Sequence, residues 1–139
     1  MPCNKSKYAI RSRRGLTLVE ATSGFIVIIP IALGVIDLVA LISANEINEQ
    51  WAEMACRAAA TRQSANTAQK AAQNCLDDFE PQSVAKQINL VQVQFDPAKG
   101  QVSVVTEMVT KMPVPIPFVG DINLKTASTQ PIVGIPAPE

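Results

Sequence analysis

From Gly24 to Ala44 the chain reads GFIVIIPIALGVIDLVALISA, apolar on every helical face and carrying one charge, Asp37. About 20 such residues in a helix cross a hydrocarbon core, whereas a buried helix of a small protein normally keeps one polar face. The stretch therefore predicts a transmembrane helix, mildly kinked near Pro30. Pro30 and Gly34 suit that setting, because neighbouring groups in membrane helices repair a lost backbone bond. Beyond Ala44 the pattern narrows to a stripe. Ile47, Trp51, Met54, Ala55 and Ala58 recur at helical spacing, with Glu46, Glu49, Glu53 and Arg57 on the other faces. The span should thus continue as an amphipathic helix, and Leu16 to Arg62 would measure about 70 Å at ~1.5 Å per residue.

Ser64 to Thr67 predicts a break, followed by an alanine-rich helix to about Phe79 with Ala68, Ala71, Ala72, Cys75, Leu76 and Phe79 as its apolar stripe; Pro81 stops it. The period then changes to two. Val91, Val93 and Phe95 alternate with Gln92 and Gln94, Asp96 to Gly100 has turn chemistry, and Val102 to Thr110 should pair back as a hairpin. Met112 to Pro117 alternates with proline and is expected to be extended, because those prolines cannot donate. Ile122, Leu124 and Thr126 open a third strand, and Pro136 to Glu139 reads as a loose tail. The expected fold class is α+β: an N-terminal transmembrane helix extended outside the cytoplasm, then a second helix and about three antiparallel strands. In segments, 1–15 is a basic leader, 16–44 the transmembrane helix, 45–80 a helical region and 81–139 a small β region with a Pro-rich loop.

The 139 residues carry no formal net charge, yet the charges are segregated. Lys5, Lys7, Arg11, Arg13 and Arg14 precede the apolar stretch without an acid among them, while acids outnumber bases from Asn45 onward. Basic residues at one flank hold that end in the cytoplasm and send the remainder across the membrane. No basic run occurs past Arg14, so nothing points to nucleic acid. Histidine is absent, which removes the commonest general base and the commonest metal ligand. No Ser-Lys or carboxylate pair stands in a recognisable frame. The sequence thus predicts no catalytic site, cofactor, metal or small-molecule substrate.

Three readings of the N-terminus remain open on these grounds. A secretory signal would be cleaved after Ile42-Ser43-Ala44, although the apolar run exceeds the ~7–15 residues of a signal core. A signal anchor would remain unprocessed. The third rests on Arg13-Arg14-Gly15-Leu16-Thr17-Leu18-Val19-Glu20, which resembles the type IV prepilin signature of a basic leader ending in Gly, an apolar residue, and Glu five residues after the cut. In that family a membrane peptidase cuts on the cytoplasmic side, here between Gly15 and Leu16, and the new N-terminus is often methylated. Cleavage would place an amine at Leu16, about one helical turn from Glu20. A carboxylate inside an apolar helix is expensive and usually partnered, so Glu20 would pair with a neighbouring subunit's amine and set axial register; otherwise it is an interfacial residue solvated by headgroups. Asp37 has two readings as well, snorkelling outward or facing another helix in an assembly.

Taken in order, several stretches resemble the TadE-like family, minor pilins (pseudopilins) of the tight-adherence, Flp-type pilus machinery. Arg14-Gly15 with Val19-Glu20 is similar to the family's glycine-ended start. Ile29-Pro30 and Leu33-Gly34-Val35-Ile36-Asp37-Leu38 resemble its proline-containing span with a late acid. Ala55-Cys56-Arg57-Ala58-Ala59-Ala60 resembles its small-residue and arginine stretch, and Val102 to Thr106, the Pro-rich loop and Ile122 to Ser128 its terminal strand pair. Ala21-Thr22-Ser23-Gly24 departs from the aromatic and apolar residues that usually follow the family's Glu. The resemblance implies a single-pass protein of the bacterial inner membrane, cleaved by a prepilin peptidase. It would join other pilin-like subunits on a pilus assembly platform that supports adhesion, biofilm formation or secretion. A pseudopilin of another type IV pilus or type II secretion-like system, and a membrane-anchored binding or chaperone module, are the alternatives.

Cys3 falls in the expected leader. Cys56 and Cys75 would lie on the oxidising side, where a bridge forms if the chain reverses near Ser64 to Thr67. An unbroken helix would hold them about 28 Å apart, beyond the reach of a disulfide.

Overall fold

The computed structural model describes residues 11–115 and 120–133, with side chains from Leu18 onward. The first ten residues, Ile116 and Pro117 of the proline-rich segment, and the tail from Pro136 lie outside the described residues. Five elements follow in order: helix α1 (Arg11–Ala60), helix α2 (Ala65–Asp77), and strands β1 (Ala85–Asp96), β2 (Gln101–Thr110) and β3 (Ile122–Pro131). This is the α+β layout that the periodicities predict. Two compact units divide the chain between Ile36 and Asp37.

The first unit, as described, is the N-terminal part of α1. Its large apolar side chains are turned outward around the whole helix, Leu18 at 70% and Ile26 at 69% exposed. Pro30 lies inside the helix without ending it. From Leu18 onward the helix has the length and hydropathy of a membrane span.

The second unit begins at Asp37 and consists of two helices on one face of a three-stranded antiparallel meander, β1-β2-β3. α1 contributes small side chains at helical spacing: Ala40, Ala44, Ala52, Ala55, Cys56 and Ala59 are buried. α2 adds Ala68, Ala72 and Leu76. The bulk comes from the central strand, where Val102, Val104 and Met108 are fully buried. Alanine on the helices lets these larger side chains approach closely, the division of volume that close packing requires. Trp51 of α1 meets Phe79, just past α2, edge to face with ring centroids 5.4 Å apart, a preferred aromatic geometry.

The helix ends follow from local chemistry. Ser64 caps α2 from an extended backbone, its hydroxyl accepting from the Thr67 amide, and this break lies where the polar Ser-Ala-Asn-Thr run predicts it. The carbonyl of Ala60, left without a partner inside α1, accepts from Val133 N at 3.0 Å. The apolar stripe of α2 is as expected, with Ala71, Cys75 and Phe79 half-buried beside its three buried members.

The β1–β2 turn is closed by Asp96, whose carboxylate accepts from the amides of Ala98 and Lys99, both at 3.1 Å. Gly100 takes the left-handed conformation, φ 64. Strict alternation fails in β1. The register slips between Ala85 and Gln87 and again between Leu90 and Gln92, so Lys86 and Val91 are bulge residues. Each bulge turns the following residues over. The core side of β1 is therefore Ala85, Ile88, Leu90, Val93 and Phe95, with Val91 47% exposed. The expectation that Val91 shares a face with Val93 and Phe95 is corrected.

Candidate functional site: the apolar helix and its polar contacts

Candidate chemistry lies along α1. Gly15 and Leu16, where the prepilin-like cut is expected, lie within the helical backbone of α1. Glu20 is exposed and has no hydrogen-bond or ion-pair partner among the described residues. The polar side chains just after it are absorbed by the helix itself: Thr22 Oγ1 donates to the Leu18 carbonyl at 2.8 Å and Ser23 Oγ to that of Glu20 at 2.9 Å. Such back-bonding lets hydroxyls sit in apolar surroundings. Glu20 has no equivalent route.

Asp37 differs from Glu20 in being only 4% exposed. Its Oδ1 accepts the backbone N–H of Val114 at 3.0 Å. Val114 stands between Pro113 and Pro115, which have no N–H to give. The one amide left in that short stretch therefore reaches the only acid of the apolar segment. This partner, within its own chain, is one that neither sequence reading of Asp37 supplied. The neighbouring apolar side chains split. Ala40 and Ala44 are buried, while Leu38, Val39 and Ile42 are more than half exposed.

Further along, Asn48 is fully buried at the helical spacing of Ala44 and Ala52. Its Nδ2 donates to the Leu124 carbonyl at 2.9 Å and to Thr126 Oγ1 at 3.1 Å. Its Oδ1 accepts from Thr106 Oγ1 at 2.8 Å. One side chain thus ties α1 to both β2 and β3. Sequence periodicity missed it because a polar residue is ordinarily assigned to a solvated face. The available signal was its phase, one turn from Ala44 and one from Ala52.

Cys56 and Cys75 are free thiols in this structure. The Cys56 sulfur points into the sheet, 3.4 Å from the Val102 carbonyl and 3.3 Å from that of Ser128, to which it donates. Burial raises its pKa, partly opposed by hydrogen bonds that favour the thiolate. Cys75 is half-buried, and burial together with the Asp78 carboxylate raises its pKa too. Neither has the lowered pKa of a reactive thiol. No set of three or more His, Cys, Asp or Glu side chains able to hold a metal occurs among the described residues.

Comparison with known proteins finds no matching family model, no matching curated protein and no matching solved structure.

Proposed function

We propose that this chain is a pilin-like minor subunit of a tight-adherence type, held by its N-terminal helix in the inner membrane and processed between Gly15 and Leu16. One observation carries the reading. A single helix, α1, joins a fully exposed apolar stretch containing Glu20 to a segment that is built into an α+β domain by Ala44, Asn48 and Cys56. In an assembly subunit the first part holds the chain in lipid, and later in a filament core, while the second presents the domain.

The exposed run from Leu18 to Ile36 measures about 28 Å at ~1.5 Å per residue, close to the ~30 Å hydrocarbon core of a bilayer. In this reading the span ends near Asp37, about two turns earlier than Ala44, because Asp37, Ala40 and Ala44 face the chain's own domain. The basic N-terminal flank holds the amino end inside and the domain outside. Prepilin peptidase and fellow pilin-like subunits are the partners. Glu20, exposed in an apolar helix, is available to a neighbour's new amine.

The test is Glu20→Ala. The variant should be processed and reach the membrane but be absent from the sheared surface-filament fraction that contains the unsubstituted chain. Equal recovery of both in that fraction would count against the pairing role.

A further inference from the structure

The geometry points to a second lipid contact: the apolar shoulder Met112–Pro113–Pro115, together with Leu38, Val39 and Ile42, rests in the headgroup layer of the outer leaflet. This rests on the proposal that α1 spans the membrane. The Asp37 carboxylate accepts the Val114 amide at 3.0 Å and so ties the proline-rich segment to the helix. Asp37 directly follows Ile36, where the all-round apolar surface of α1 stops. A segment held there is held at the edge of the lipid.

Its composition matches that position. Met112 to Pro115 carries no charge, Pro113 and Pro115 are exposed, and Met112 is half-buried. The prolines have no amide to desolvate and the Val114 amide is already used, so few donors in the segment need water, and the wet headgroup layer can still solvate its carbonyls. On the helix, Leu38, at 57%, Val39, also at 57%, and Ile42 at 52% are exposed. These apolar side chains lie outside the unit's own core although they belong to its helix.

Charges at the same end of the sheet suit a headgroup layer. Lys111 follows directly on β2, and its amide donates to the Val84 carbonyl beside β1. Lys86, on the β1 bulge, pairs with Asp121 at 2.8 Å. Lys111, exposed at this level, can reach lipid phosphates, while Lys86 is already neutralised by Asp121. The β1–β2 turn at Pro97–Gly100 lies at the opposite end of the strands, since Asp96 pairs with Gln101 and Ala85 with Thr110. Within this unit, that turn is therefore the part of the sheet farthest along the strands from the shoulder.

Tryptophan quenching by phosphatidylcholine brominated at shallow or deep acyl positions tests this in vesicles containing the full chain. Reporters are Pro115→Trp, Pro113→Trp, Ala98→Trp and Ile28→Trp, each in a Trp51→Phe background that keeps an aromatic ring against Phe79. Pro115→Trp and Pro113→Trp should lose most of their emission with shallow bromines, Ile28→Trp with deep ones, and Ala98→Trp almost none. The unsubstituted chain supplies a control free of folding risk: Trp51 lies about 21 Å beyond Asp37 along α1 and should not be quenched. Deep quenching of Ile28→Trp with none at either proline overturns the second contact and leaves the span intact. Blue-shifted but unquenched proline reporters mean that protein, such as a second copy, covers the shoulder, and also overturn it. Quenching of Trp51 by shallow bromines would do the same, since the lipid contact would then not be confined to the shoulder. No quenching of Ile28→Trp removes the span itself and with it this inference.

Discussion

Asp37 and Val114 are 77 residues apart in sequence and joined by one hydrogen bond from amide to carboxylate. That bond fastens the proline-rich segment to the helix where its exposed apolar run ends. Hydrogen bonds to charged groups contribute about 1.5–3 kcal/mol. Asp37→Ala should destabilise the domain by about that amount, and Asp37→Asn by less, because the amide oxygen still accepts. Urea unfolding in detergent measures the difference. Equal midpoints for Asp37→Ala and the unsubstituted chain would show that the bond contributes nothing.

Asn48 offers a sharper case. Its removal strands the buried Thr106 hydroxyl and two partly buried acceptors, and a buried unpaired group costs about 1–3 kcal/mol. Asn48→Ala and Asn48→Leu should both lower stability by at least about 2 kcal/mol. Leucine should not rescue, although it restores volume. A stabilised Asn48→Leu would mean that the site is valued for packing alone.

Gly100 sits at φ 64, a region where a side chain costs roughly 1–2 kcal/mol. Its carbonyl also accepts from Ile132 N at 2.8 Å, so strain there reaches the end of β3. Gly100→Ala should cost ~1 kcal/mol or more and Gly100→Asn less, since asparagine tolerates this conformation. Thermal unfolding that ranks asparagine below alanine would contradict the turn assignment.

The cysteines give a pH prediction. In the unfolded chain Cys56 titrates near 9.0, and burial raises that value in the fold. The folded state therefore holds its proton where the unfolded state has lost it. Stability from this source is complete below about pH 9 and declines as pH rises above it. Cys56→Ala should remove that part of the alkaline decline. Because the Cys56 sulfur is engaged with two strand carbonyls, mass mapping of the denatured, unreduced chain should find Cys56 and Cys75 both alkylatable. A Cys56–Cys75 peptide would refute the thiol geometry.

The two helices and the three strands are legible from the change of hydrophobic period along the chain, and the break at Ser64 from its polar run. The β1 bulges were not. Ala85, Ile88, Leu90, Val93 and Phe95 are separated alternately by three and two residues, and Val91 among them mimics simple alternation. Asp37 advertised itself as an acid in an apolar run, but its partner came from a loop distant in sequence. The hint was present in Pro113-Val114-Pro115, which leaves one amide in need of an acceptor. Asn48 gave less warning, for its hub depends on three residues of other elements. Glu20 is exposed, as the sequence predicts for a carboxylate on an all-round apolar helix, and it has no partner among the described residues.

The pilin-like account turns most directly on the mature N-terminus. N-terminal sequencing of the chain recovered from membranes of prepilin peptidase-positive cells should begin at Leu16, and in peptidase-deficient cells the leader should remain. A chain that keeps its leader in both strains, or one that begins just after Ala44, would contradict it.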